Sequence, residues 1–172
     1  MSNIEEHCPM DCKVGVYMRR SPDEIPAVQD PISYCRWLFG KKYRSASSYK
    51  NEDFYIDICS RTETVECPQM IRLIRDCMMG EIDCVFVESI MRIAPNMISA
   101  LFWLYYLLHL DHKIEIEIDR TLNTEASTER RQEIIKAAES AVHSNYEKYA
   151  QWKAEILNAI DQLGGDADGV FV

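Results

Sequence analysis

Short apolar segments alternate with longer segments of helical periodicity over the first two thirds of the chain. The short segments are rich in Val, Ile, Phe and Tyr and lie at residues 14–18, 54–58, 82–87 and 113–118. Between them, apolar residues recur three or four positions apart, as on one face of a helix. Because parallel strands need long crossover connections, this alternation predicts an α/β fold with a largely parallel central sheet flanked by helices. We place this domain at residues 13–126, after a polar leader at residues 1–12.

Proline and glycine delimit the predicted helices. The first helix, at residues 27–39, would bury Val28, Ile32, Cys35 and Leu38 or Phe39 on one face. Pro68 opens the second, because proline is well tolerated in a first helical turn, and Gly80 ends it. The third, at residues 97–110, is too short for a bilayer, which takes about 20 residues, so we expect a buried helix and no membrane association.

The last third of the chain has a different pattern. Residues 127–163 contain no proline or glycine, and the glycine pair at 164–165 predicts a stop before a flexible tail at residues 164–172. Apolar or small residues recur by threes and fours at Ile134, Ala138, Ala141, Tyr149, Trp152, Ile156, Ile160 and Leu163. One helix of this length would reach roughly 55 Å, longer than a small domain is wide, and therefore predicts a partner for its stripe. The alternative is a break near residues 144–145 that folds the stripe back on the core.

Charge and cysteine usage limit the partners and the compartment. The 172 residues include 28 acidic and 19 basic side chains, a formal charge of -9, which argues against a broad basic surface for nucleic acid but leaves room for a local basic groove. Seven cysteines, an odd number with no secretory signal before them, indicate free thiols and a cytoplasmic protein. Cys8 and Cys12 lie near His7 without a second pair at zinc-site spacing, and His109 and His112 are interpreted as surface residues. We therefore predict no metal site and no cofactor.

Three residues at the end of the first predicted strand point the same way. Tyr17, Arg19 and Ser21 alternate along the chain and so share one face of an extended strand. Open parallel sheets place their sites just outside such strand ends. A serine beside a guanidinium group suits a nucleophile whose target is anionic. The alternative is an ordinary loop in which Ser21 caps a turn before Pro22.

The surrounding motifs resemble those of the serine recombinase family, the resolvases and invertases. Residues 17–21 are similar to its opening signature of Tyr, any residue, Arg, a small apolar residue and Ser. The likeness continues in order over residues 13–163. It includes Gln29 as the glutamine of the first helix, Asp57 and Ser60 in an Asp-x-x-Ser segment, Pro68 at the next helix start, Arg92 after the third strand, and residues 127–163 as the dimerisation helix.

The resemblance implies a reaction and a set of site residues. Ser21 would attack a DNA phosphodiester and form a phosphoserine link, while Arg19 and Arg92 would hold the phosphate and neutralise its charge. Tyr17, Gln29, Asp57 and Ser60 would support the site. The implied partners are DNA and a second chain, identical or related, that pairs through residues 127–163.

Four positions depart from the family pattern. Met91 stands where an aspartate usually precedes the arginine, and Pro95 stands where a further catalytic arginine is expected. Cys67 replaces an arginine at a helix start, and Arg20 is larger than the usual small apolar residue. Loss of one transition-state contact typically costs on the order of 10²–10³ in rate, so strand exchange is expected to be weakened or lost.

Several interpretations stay open at this point. The chain ends without room for the DNA-binding module of the family, so we expect it to bind DNA weakly alone. The main alternative is a non-enzymatic regulator that dimerises with an active recombinase, and another is a remnant without a present role. A flavodoxin-like small-molecule binder is disfavoured, because no Gly-rich phosphate loop follows the first strand. Also open is whether Arg61, Arg72 or Arg75 substitutes for the missing arginine.

Overall fold

The structure, a computed structural model, describes residues 12–43, 51–59, 67–118 and 124–170. Within these ranges the strands are β1 (Lys13–Arg20), β2 (Asn51–Ile58), β3 (Cys84–Val87) and β4 (Glu115–Ile118). The helices are α1 (Pro31–Tyr43), α2 (Pro68–Met78), α3 (Met97–Leu108), α4 (Thr124–Ser144) and α5 (Tyr146–Val170). Short 3-10 turns at Pro22–Glu24 and Ile90–Arg92 follow β1 and β3. All strand pairs are parallel, in the order β2-β1-β3-β4, which confirms the predicted α/β fold.

Helices cover both faces of this sheet. All of β3 and most of β1 are buried, which explains why these strands appear in the sequence as continuous apolar runs. One cluster of buried side chains joins the sheet to α2, α3, α4 and α5, and a second joins it to α1. In β1, Gly15 permits close packing of α2, since a Cβ there would lie 2.7 Å from Leu73 Cδ1.

The first helix begins at Pro31, later than predicted. Proline disfavours helical backbone at the preceding Asp30, whose carboxylate instead caps the helix by accepting a hydrogen bond at 2.9 Å from a backbone amide three residues on. Val28 therefore precedes α1 and is 96% exposed, and Ile32 is also exposed. The predicted buried face is therefore wrong at Val28 and Ile32 and confirmed at Cys35 and Phe39, which are buried in α1.

The second and third helices match the prediction. α2 starts at Pro68, and Gly80 follows it with a φ of 74°, the left-handed conformation that glycine favours. α3 is buried along most of its length. None of the described helices is long and apolar enough to cross a membrane.

The long C-terminal helix is present as two long helices that meet at Asn145. Its stripe packs on the domain itself, because Ala138, Trp152 and their buried neighbours belong to the same core cluster as α3. The ring of Phe102 in α3 lies 5.4 Å from that of Tyr149 and 6.0 Å from that of Trp152. The middle of the stripe is thus buried without a second chain, as in the alternative with a break, while Ile134, Ile160 and Leu163 are partly buried against the same core. Pairing through residues 127–163 stays a prediction.

Two smaller expectations are corrected. α5 runs to Val170, past the glycine pair at 164–165, since glycine costs roughly 1 kcal/mol in a helix without excluding it. Cys12 is disulfide-bonded, so a free thiol was wrongly expected there. An odd number of cysteines means that they cannot all be paired within the chain, but it does not exclude a single disulfide bond. The remaining described cysteines, which are thiols, are Cys35, Cys59, Cys67, Cys77 and Cys84.

Candidate active site

A cavity of about 290 Å³ opens at the carboxyl end of the sheet. It is lined by Arg19, Ser21, Glu24, Cys59, Met91 and Arg92. The end of β1 delivers Arg19 and Ser21 to this edge, and the turn after β3 delivers Arg92. The structure therefore brings together the three residues predicted as catalytic, whose roles stay predictions.

A carboxylate lies between the serine and Arg92. The Arg92 nitrogens Nη1 and Nη2 contact Glu24 Oε2 and Oε1, each at 2.8 Å. Oε2 also accepts a hydrogen bond from the Ser21 backbone amide at 2.9 Å, as in a capping box. The hydrogen bond from Arg92 lowers the pKa of Glu24 to about 2, and the same bond raises the pKa of Arg92. Glu24 is therefore a firmly ionised group inside the cavity.

On the other face of β1, a buried ion pair supports the same edge. Arg20 Nη2 donates to Glu88 Oε1 at 2.6 Å, and Nη1 lies 2.6 Å from Oε2. The two side chains are 6% and 7% exposed. The Arg20 carbonyl also accepts a hydrogen bond from the Cys59 amide at 2.9 Å, beyond the end of β2. One residue thus links the ends of the three strands that carry the cavity.

Tyr17 and Asp57 are buried and contact each other below the cavity. The Tyr17 hydroxyl donates to Asp57 Oδ2 at 3.0 Å, and the amides of Gln69 and Met70 donate to the same carboxylate at 3.0 Å each. These bonds tie the end of β2 to the first turn of α2. Burial raises the pKa of both Asp57 and Tyr17. Their position suits the predicted supporting role rather than contact with a ligand.

The two other predicted supporting residues are Gln29 and Ser60, of which the structure describes Gln29. Gln29 is exposed and lines a separate groove with Asp30, Tyr34 and Trp37. Its predicted position within the first helix is wrong, because the helix starts only at Pro31. Ser60 lies outside the described residues.

The departures from the family pattern place no charge in the cavity. Met91 is 62% exposed and lines it with an apolar side chain. Pro95 precedes Asn96, the N-cap of α3, and is not a lining residue. Cys67 is buried, its sulfur lies 3.4 Å from that of Cys59, and burial raises its pKa to about 12.

The arginines of α2 are engaged elsewhere. Arg75 donates two hydrogen bonds to Asp76, at 3.0 and 2.9 Å, and Arg72 lies over the ring of Tyr55 at 5.4 Å. Neither lines the cavity, and Arg61 lies outside the described residues. Within the described part of the chain, the cations that line the cavity are therefore Arg19 and Arg92.

Histidine and cysteine do not cluster in the described part of the chain. No group of three His, Cys, Asp or Glu side chains there could hold a metal ion. His112 pairs with Asp83 at 3.1 Å, whereas the ring of His109 stacks on Tyr105 at 4.0 Å. The two histidines thus contact different neighbours. His7 and Cys8 lie outside the described residues.

Comparison with solved structures finds catalytic domains of an integrase and of a serine recombinase. The chain has the fold of a serine recombinase catalytic domain, as the resemblance predicted. The N-terminal catalytic domain of TP901-1 integrase matches with a TM-score of 0.55 at 20% identity, covering 78% of this chain and 97% of that one. The C-terminal catalytic domain of ISC1926 TnpA, an IS607-like serine recombinase, has a TM-score of 0.45 at 17% identity, covering 88% and 99%. No protein-family model and no curated protein matches the sequence.

Two residues of this region were missed in the sequence. A signal for Glu24 was present, because Ser-x-x-Glu from Ser21 is the capping-box pattern. Glu88 carried no comparable signal, since its partner Arg20 is 68 positions away. Contacts of that kind follow from strand register, which the sequence pattern does not specify.

Proposed function

We propose that this chain is a serine recombinase catalytic domain of the cytoplasm that acts on DNA, with activity weakened or lost. The observation that supports it is the meeting of Ser21, Arg19 and Arg92 in one cavity of a recombinase-type fold. A hydroxyl beside two guanidinium groups suits attack on a phosphodiester, because guanidinium pairs with phosphate oxygens and stabilises the charge that develops on them.

In the proposed reaction, Ser21 Oγ attacks a DNA phosphorus atom. The new Oγ–P bond forms as the bond to the 3′ oxygen breaks, the serine proton is lost, and the leaving oxygen gains a proton. The products are a 5′-phosphoserine and a free 3′ hydroxyl. Arg19 and Arg92 hold the non-bridging oxygens, while Tyr17 and Asp57 keep β2 and α2 in place.

A covalent-adduct assay tests this reaction. The protein is incubated with sheared genomic DNA of its source and with random duplex libraries, and adducts that survive SDS are collected and released by protease. We expect a low yield of adduct from the native chain. Ser21→Ala is expected to reduce that yield by on the order of 10³-fold or more, to background, because it removes the nucleophile.

The matched control is Ser33→Ala, at an exposed serine of α1. It should leave the adduct yield unchanged. An adduct that persists in Ser21→Ala would contradict the role of Ser21 as the nucleophile. The complete absence of adduct from the native chain would mean that activity is lost rather than weakened, and would favour the second candidate.

A second candidate is a non-enzymatic regulator that pairs with itself or with an active recombinase through residues 127–163. The apolar Met91 in the cavity and the loss of a cation at Pro95 favour it, because both weaken catalysis without disturbing the fold. With a charge of -9, the chain is expected to bind DNA weakly on its own.

Light scattering on the full chain tests this pairing. The mass of two chains at micromolar concentration would support self-association, whereas the mass of one chain at every concentration would contradict it. A relative expressed from the same genome, mixed with the chain, tests the heterodimer in the same measurement.

A further inference from the structure

The Glu24 carboxylate accepts hydrogen bonds from two donor groups at the cavity, the Arg92 guanidinium group and the Ser21 amide. Its two oxygens each accept a hydrogen bond at 2.8 Å from a terminal nitrogen of Arg92. Oε2 also accepts a hydrogen bond at 2.9 Å from the Ser21 backbone amide. Arg19 lines the same cavity. A phosphate would use the same donors, because carboxylate and phosphate both pair with a guanidinium group through two oxygens.

We infer that Glu24 is an internal competitor for the phosphate site and that a DNA phosphodiester must displace it to reach Ser21. This inference rests on the proposed function, since it assigns a regulatory residue to the same cavity. Displacement separates Glu24 from Arg92, and the freed carboxylate then repels the incoming anion at short range. The resting chain is therefore self-inhibited.

Two other roles for Glu24 are distinguishable from this one. As a helix cap, it would need only an oxygen acceptor for the Ser21 amide, which a glutamine also provides. As a general base for Ser21, it would need a pKa near the working pH, whereas Arg92 lowers its pKa to about 2. The substitution Glu24→Gln keeps one acceptor oxygen for the Ser21 amide, removes the charge and replaces the second oxygen with an NH2 group.

Binding of inorganic phosphate provides the test, with ionic strength held constant by sodium chloride. The probe is the NMR shift of the Arg92 side-chain NH, assigned with Arg92→Lys. Glu24→Gln is expected to tighten phosphate binding by about fivefold, the ratio that corresponds to a partly exposed ion pair. The gain in phosphate affinity should vanish in the double variant Glu24→Gln/Arg92→Gln. Binding to that variant is followed by the NMR shift of the Ser21 backbone amide.

The matched control is Asp23→Asn, which removes the same charge from an exposed neighbour in the same turn. An equal gain in phosphate affinity in Asp23→Asn would show that the effect comes from net charge alone, and would overturn the inference. The inference would also be overturned if Glu24→Gln and the native chain bound phosphate with equal affinity, or if neither bound it. Phosphate binding does not need the Ser21 hydroxyl, so Ser21→Ala should keep the gain. A failed adduct assay therefore leaves the competition between Glu24 and phosphate standing but removes its link to DNA, whereas a failed phosphate assay leaves the proposed reaction standing.

Discussion

Glu88→Ala is expected to lower the free energy of unfolding by about 3–5 kcal/mol, measured by urea denaturation. The large effect comes from the charge left behind. Arg20 is 6% exposed and would lose both of its 2.6 Å contacts to the carboxylate. Water cannot solvate its guanidinium group without opening the packing at the edge of the sheet. Because Arg20 lies between Arg19 and Ser21, the cavity would be disturbed as well.

Two variants separate this cause from general loss of acidic charge. Glu81→Ala, at an exposed glutamate before β3, should change the unfolding free energy by no more than about 0.5 kcal/mol. The double variant Arg20→Met/Glu88→Leu should recover most of the loss, since apolar residues often replace a buried ion pair without penalty. If Glu88→Ala lowered the free energy of unfolding by less than about 1 kcal/mol, the Arg20 guanidinium group would have to be hydrogen-bonded by other groups or by water, and the prediction would be wrong.

The fold was predictable because its signals are local. Alternation of apolar strands with amphipathic helices indicates a parallel sheet wherever it occurs, and Pro68 and Gly80 mark the helix between β2 and β3. The start of the first helix was also marked locally, by Pro31. The apolar spacing of Val28 and Ile32 suggested an earlier start, but the restriction that Pro31 places on Asp30 prevailed.

The covering of the C-terminal stripe could not be read from the sequence. A stripe that contains Tyr149, Trp152 and Ile156 must be buried against another apolar surface. The spacing of its apolar residues is the same whether that surface belongs to a second chain or to the same domain. The choice depends on whether an unfilled apolar surface exists nearby. In this structure α3 provides it, through Phe102 and Tyr106.

The candidate site was predictable only in part. Strand alternation placed Arg19 and Ser21 on one face, and the family resemblance added Arg92, which the structure brings to the same cavity. The pairs that set the electrostatics, Arg92 with Glu24 and Arg20 with Glu88, each join residues 68 positions apart. Such pairs depend on how β1 and β3 align, and no local pattern specifies that alignment.

Trp152→Ala is expected to cost about 3–5 kcal/mol of unfolding free energy, because it leaves a large cavity in the core. The side chain is 7% exposed and contacts the rings of Phe102, Tyr106 and Tyr149 at centroid distances of 6.0, 6.1 and 6.0 Å. α5 is thus a structural part of the domain, and loss of its packing should destabilise the whole domain, including the sheet. Urea denaturation followed by far-UV circular dichroism measures this cost.

The matched control, Tyr146→Ala, truncates an aromatic residue of the same helix that is 68% exposed, and should change the unfolding free energy by no more than about 0.5 kcal/mol. Protein concentration adds the decisive comparison. If Trp152 packs within its own chain, the cost is the same at low and high concentration. If the residue instead held two chains together, the midpoint of the native chain would rise with concentration, because association stabilises the folded state by mass action. The variant would then lose that dependence, and the intramolecular assignment of the stripe would be contradicted.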